Sequence, residues 1–199
     1  MRRGGHASPP IGTIWLPTKA EALSLFKYYM DNVHYLHPVI DALAVRRMME
    51  AVYTDPGERV YKESAHIALI LSIFASTGYL WSTQANDELL VFSTPKAATT
   101  ASSAWTDAAL DVADYSRRTS PGSIENIQAT IIIEYLIYNN NGFSATCRLL
   151  HSSTITMARD LSLHRIDIPH RRKTTDSKEN ITEDETKRRI WWFVASTDW

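Results

Sequence analysis

Hydrophobic positions along this chain recur at helical spacing in one segment after another, with polar turn residues between the segments. Ala22, Phe26, Tyr29, Met30 and Val33 lie three or four apart and predict one apolar helix face, running to about His34. Ahead of them, Thr18-Lys19-Ala20-Glu21 forms a capping box, in which a hydroxyl and a carboxylate three residues apart satisfy two orphan N–H groups. His37-Pro38 then forces an extended step, because proline disfavours helical geometry in the residue before it. Asp41 is placed to cap a helix reaching about Tyr53, which the turn tripeptide Asp55-Pro56-Gly57 ends. The stretch from about Glu58 to Trp81 has a continuous apolar centre and reads as a buried helix.

A further helix is predicted from Pro95 to about Arg117. It is rich in small residues (Ala97, Ala98, Ala101, Ala104, Ala108 and Ala113) that allow a neighbouring helix to come close. Two more, about Ile124–Tyr138 and Phe143–Leu163, are joined by Asn139-Asn140-Asn141-Gly142, a connection short enough to make an antiparallel hairpin. Ile131-Ile132-Ile133 has strand propensity, but its flanks keep helical spacing over a length unusual for a strand. From His164 to Ile181 the chain turns polar and reads as a mobile connection. A second capping box, Thr182-Glu183-Asp184-Glu185, then opens a last helix. Its adjacent residues Trp191 and Trp192 point about 100° apart, so one partner cannot cover both. No Gly or Asn stop follows, and the chain reads as ending inside its own core. The expected fold is all-α, a bundle of antiparallel helix pairs truncated at its C-terminus. Residues 1–16 form a flexible lead, 17–199 a partial domain, and about 164–181 its mobile loop.

Composition narrows the functional classes. A chain of 199 residues with 44% apolar and 22% charged content can bury one ordinary core. A net charge of −1 argues against a protein built to coat nucleic acid. The single cysteine, Cys147, excludes an internal disulfide and any cysteine-rich zinc module; it reads as a small buried hydrophobe rather than a reactive thiol. Between Ala65 and Trp81 the apolar run is broken by His66, Ser72, Ser76, Thr77 and Gly78. That is short of the roughly 20 apolar residues that span a bilayer, so a buried helix is preferred to a membrane span.

Candidate chemistry is sparse. His34 and His37 are three apart, but Pro38 interrupts the helix and no carboxylate or thiol stands at ligand spacing, which favours structural or solvent-exposed histidines over a metal site. No phosphate loop, nucleophile elbow or zinc-protease motif occurs, and Asn86-Asp87-Glu88 reads as a solvated acidic loop. The basic clusters Arg165–Lys173 and Lys187-Arg188-Arg189 alternate with acidic residues that cancel much of their field. Arg188 and Arg189 are placed to stack on the tryptophans or to pair with carboxylates of the core. Ser120, close behind Arg117 and just before a helix, is a candidate phosphorylation site.

Four runs carry a resemblance. Glu185-Thr186-Lys187-Arg188-Arg189-Ile190-Trp191-Trp192 resembles the arginine-arginine-x-tryptophan-tryptophan signature of the fungal transcription factor regulatory domain, the middle homology region of zinc-cluster activators. Ser123 to Ala129 is similar to that family's segment around "IQA", which marks Gln128. Met157 to Arg165 is similar to its "A-x-x-L-G-L-H-R" run, which marks Leu161 and His164, with Ser162 in place of the usual glycine. Leu16-Pro17 through Pro38 resembles the family's opening. The resemblance implies a nuclear regulator of RNA polymerase II transcription, acting through coregulators or the transcription machinery, sometimes under a small-molecule effector, and without enzymatic activity or a membrane. Family members hold zinc in a cysteine cluster that reads DNA; this chain has no such head, no cofactor and no DNA-contacting residue of its own. The alternatives are a stand-alone all-α interaction scaffold and an all-α enzyme acting on an apolar metabolite.

Overall fold

The computed structural model describes residues 15–54, 64–84, 91–119, 122–168 and 178–197. They form α1 (Lys19–Asn32), α2 (Ala42–Thr54), α3 (Ser64–Gln84), α4 (Pro95–Thr119), α5 (Ile124–Asn141), α6 (Ala145–Asp160) and α7 (Lys178–Ser196). Two 3-10 turns, His34–Leu36 and Leu163–Arg165, follow α1 and α6; no strand occurs among the described residues. The all-α expectation holds.

Helix α3 is the axis of the molecule and packs against α1, α2, α4 and α5. Leu69, Leu71, Ile73 and Phe74 on successive faces are all fully buried. The window Ser64–Trp81 is long and apolar enough to cross a bilayer by length and composition, yet 72% of it is buried inside the protein. Its apolar surface is therefore already covered by neighbouring helices. The closest neighbour is α4. A Cβ on Gly78 would lie 3.1 Å from the Ala98 carbonyl oxygen and 3.3 Å from Ser102 Cβ, so glycine is what lets the two backbones approach. Ser102 Oγ donates to the Ala75 carbonyl across that seam at 2.7 Å. The alanines of α4 divide accordingly: Ala98, Ala109 and Ala113 are buried, while Ala97 and Ala104 face solvent.

Both halves of the predicted capping box at α1 form, with Thr18 N donating to Glu21 Oε2 at 2.7 Å and Glu21 N to Thr18 Oγ1 at 3.4 Å. Asp41 accepts from Ala44 N at 2.7 Å and starts α2. The leading residues are also tied down. Trp15 stacks on Trp105 with ring centroids 5.8 Å apart, and its carbonyl accepts from Trp105 Nε1 at 3.1 Å. The Tyr53 hydroxyl donates to the Pro17 carbonyl at 2.9 Å, and burial, with the nearby Glu21 charge, pushes that phenol up to about 12.

Several boundaries differ from expectation. The asparagine run is the last turn of α5 rather than a loop, because Asn139 Nδ2 donates back to the Tyr135 carbonyl at 2.7 Å and the helix stops only at Gly142, with φ of 65°. Ser144 caps α6, so the hairpin connection is shorter than predicted. Helix α6 ends at Asp160, not Leu163, because Ser162 is left-handed, with φ 58° and ψ 31°. The second capping box does not form as a cap. Helix α7 is already running at Lys178, and Thr182 lies inside it, its carbonyl accepting from Thr186 Oγ1 at 3.0 Å. No glycine or proline in Lys178–Ile181 forbids that earlier start. Ile131, Ile132 and Ile133 are all buried within α5, where core packing on three faces overrides strand propensity. The Asp55-Pro56-Gly57 turn, Asn86–Glu88, Ser120, the basic segment 170–173 and Trp199 lie outside the described residues.

Candidate functional site

Helix α7 carries the most distinctive residues of the sequence, and its seat is where they converge. Ile190 and Val194, four apart, are buried and face the bundle. Trp191, half-buried, lies with its ring 5.7 Å from that of His164 in the 3-10 turn after α6. Phe193 reaches the other way, its ring 6.5 Å from His37. Trp192 points outward and is 65% exposed. The two tryptophans do take different faces, and within the described residues only that of Trp191 is covered.

The arginine pair is held by carboxylates at the surface rather than by the core or the indole faces. Arg188 Nε donates to Asp167 Oδ1 at 2.7 Å, and its Nη1 lies 3.4 Å from Glu185 Oε2. Arg189 Nε donates to Glu185 Oε1 at 3.1 Å. The Asp167 hydrogen bond, together with the charges of Asp167 and Glu185, raises the Arg188 guanidinium above its ordinary value. Lys187 pairs with Glu183 one turn earlier. These pairs join α7 to the segment after α6, since Asp167 lies beyond the left-handed Ser162 that turns the chain.

Gln128 is buried, and its Nε2 donates to the Val39 carbonyl at 2.6 Å. The bond fixes α5 against the extended step between His37 and α2. Leu161 is half-buried against the core and lies 3.9 Å from where a Gly122 Cβ would sit. His164 is exposed beside Trp191. Seven residues singled out in sequence therefore divide among α5, the turn after α6 and α7, with direct ring contact for His164 and Trp191.

A buried polar niche beneath α7 went unread in sequence. His37 is 1% exposed, and neither of its ring nitrogens has a hydrogen-bond partner; the Tyr29 hydroxyl and His34 Nδ1 are likewise unpartnered. The His37 ring is 5.3 Å from Tyr135 and 6.2 Å from Tyr29, so aromatic faces from α1, α5 and α7 enclose it. Burial, then the neighbouring His34, pulls the His37 imidazole down to about 4. His34 is lowered too, by burial and then by Arg189. His37-Pro38 after an amphipathic helix was the available signal, but nothing in it showed which helices would close over the ring.

Across the hairpin, His151 Nδ1 meets Glu134 Oε1 at 2.9 Å. Burial raises the Glu134 carboxyl above its ordinary range, against the opposing pull of His151. Cys147, one turn before His151, is buried, and burial followed by the Glu134 charge pushes its thiol up. A thiol raised in this way is a poor nucleophile. Among the described residues no group of three or more His, Cys, Asp or Glu side chains is arranged to hold a metal ion.

Two hollows open beside α7. One, of about 450 Å³, lies between the Ser162 turn and the start of α5; the other, of about 660 Å³, lies between α2, α5 and α7. Ile124 and Lys187 border both.

Residues 26–198 match the family model described as the fungal specific transcription factor domain. The chain is 42% identical over 196 residues to "Probable transcription factor lepB" of Aspergillus flavus, covering 95% of this chain and 34% of that protein. It is 30% identical over 199 residues to "Transcription factor TAS2" of Pyricularia oryzae, covering 99% of this chain and 25% of that protein. To "Agnestins biosynthesis cluster transcription factor AgnL11" of Paecilomyces divaricatus it is 31% identical over 192 residues, covering 92% and 26% respectively. The chain thus spans between a quarter and about a third of the length of these curated relatives. No solved structure matches it.

Proposed function

Since the chain belongs to the fungal specific transcription factor domain family, we propose that it is the regulatory portion of a zinc-cluster-type factor that acts on RNA polymerase II transcription in the nucleus. Its own part is conformational and not catalytic. A DNA-reading head elsewhere in the full protein selects the genes, and these helices relay a signal to coregulators or to the transcription machinery. One relative carries a biosynthesis cluster in its name, which favours the genes of such a cluster as the targets here.

The observation that carries this reading is the family match over residues 26–198. The seat of α7 suggests how the relay operates. That helix holds the family-like Arg188, Arg189, Trp191 and Trp192 and is fastened by two buried aliphatic residues, two ring contacts and surface ion pairs. A helix secured so lightly along its length can exchange between docked and released states at modest cost. A small-molecule effector or a phosphate on Ser120 would act by biasing that exchange.

The test is a reporter assay with the full chain fused to a heterologous DNA-binding head. The expected result is transcription that differs from the head alone and shifts again on Trp191→Ala. Output equal to that of the head alone, with the fusion shown to be folded, would leave an interaction scaffold as the better description.

A further inference from the structure

Helices α2, α5 and α7 line one cleft, yet no Cα atoms of α2 and α7 come within 8 Å of each other. The gap between them is the cleft of about 660 Å³, within the roughly 300–1,000 Å³ typical of small-molecule sites. Its floor is Ile124 and Gln128 of α5, its near wall Leu43 and Met48 of α2, and its far wall Glu183 and Lys187 of α7. The α2 wall thus sets apolar Leu43 and Met48 beside the charged Arg47, whereas the α7 wall is polar throughout. Leu43 remains 57% exposed there, an isobutyl group left facing open space.

That asymmetry bears on the occupant. A docked helix is about 10 Å across and would need apolar cover along both walls, which the α7 wall does not offer. A compact amphipathic molecule fits better. Its charge preference follows from the lining. Carboxylates of Asp41, Glu125 and Glu183 border the cleft against the cations Arg47 and Lys187, and Lys187 is already held by Glu183 and Asp184. One of the two Gln128 amide N–H groups is taken up by Val39. Each carboxylate keeps acceptor capacity beyond its present bond, so the lining offers acceptors in excess.

We infer that the α2–α5–α7 cleft is a binding site for a small, largely apolar molecule whose polar groups are hydrogen-bond donors, such as phenolic or alcoholic hydroxyls, and not for carboxylates or phosphates. By touching α2 and α7 together, such a ligand favours the docked state of α7 and stabilises the fold by mass action. The inference does not depend on a role in transcription. It concerns binding to the isolated chain, whereas the reporter assay reads regulation, so either can fail alone.

The experiment titrates the full chain with 2-naphthol, 2-methoxynaphthalene and 2-naphthoate, following backbone amide chemical shifts. Expected are saturable shifts with 2-naphthol centred on the cleft, affinity weaker by about tenfold for the methyl ether that lacks the donor, and weaker still for the carboxylate. Ala44→Trp, which fills the cleft from the α2 wall, abolishes the shifts, whereas Trp192→Ala, altering an exposed indole elsewhere, leaves them. Should Ala44→Trp not fold, Thr186→Trp fills the same space from α7. Absence of saturable shifts, equal affinity for naphthol and its ether, preference for the carboxylate, or binding that survives a folded cleft-filling variant would each overturn the assignment.

Discussion

The side-chain amide of Gln128 donates to the carbonyl of Val39 at 2.6 Å, across 89 residues of sequence and inside the core. Gln128→Leu keeps the volume but leaves a buried carbonyl without its partner, which costs about 1–3 kcal/mol. Chemical denaturation should show the midpoint falling with an unchanged slope. A variant as stable as wild type would mean that Val39 finds another donor.

Ser162 is the one non-glycine residue with positive φ among the described residues. Ser162→Gly relieves the left-handed penalty and gives back part of the gain as unfolded-chain entropy, for a net stabilisation of about 0.5–1 kcal/mol. Ser162→Val should destabilise, since branching at Cβ opposes that conformation further. Thermal melts of the pair should bracket wild type.

His37 predicts an acid-sensitive fold. Unfolded, it titrates near 6.5; folded, at about 4. The native state therefore refuses a proton that the unfolded chain accepts. The associated stability is complete above about pH 6.5 and is lost as pH falls to about 4, by about 3 kcal/mol. Measured as a difference from His37→Phe, which cannot titrate, the loss should appear in that window. A pH-independent difference would place the ring in contact with solvent.

Gly78→Val adds bulk where even a Cβ would sit 3.1 Å from the Ala98 carbonyl. Overpacking of this kind costs about 1–3 kcal/mol, and the α3–α4 pair must part to admit the side chain. A lower melting temperature with helicity retained is the expected reading by circular dichroism.

The two adjacent tryptophans should separate cleanly. Trp192→Ala, at an exposed position, should change stability by less than about 0.5 kcal/mol. Trp191→Ala, which removes a half-buried ring beside His164, should cost about 2 kcal/mol. Equal effects on denaturation would contradict the present seat of α7.

Local signals were legible where the chain itself supplied both the start and the reason not to start sooner. Thr18-x-x-Glu21 and Thr182-x-x-Glu185 look alike as strings. Pro17 blocks helical backbone ahead of the first, whereas Asn180 and Ile181 allow the second to be overrun, so only Thr18 became a cap. The central burial of α3 was equally readable from its apolar run. Pairings that depend on how two helices register were not. Glu134 meets His151 only because the connection after Asn141 is three residues long, and that length was misjudged when the asparagines were read as loop. The motif residues were recognisable, but their partners Val39 and Asp167 are distant in sequence and carry no pattern of their own.

The strap formed by Trp15, Leu16 and Pro17 has a practical bearing. The match to the family model begins at residue 26, and a truncation cut to that border looks natural. It would amputate the first half of α1 with both halves of its cap, bare the Trp105 indole that Trp15 shelters, and strand the Tyr53 phenol. The border of the family model falls inside the folding unit, and anyone preparing this protein for solution work should start no later than residue 15.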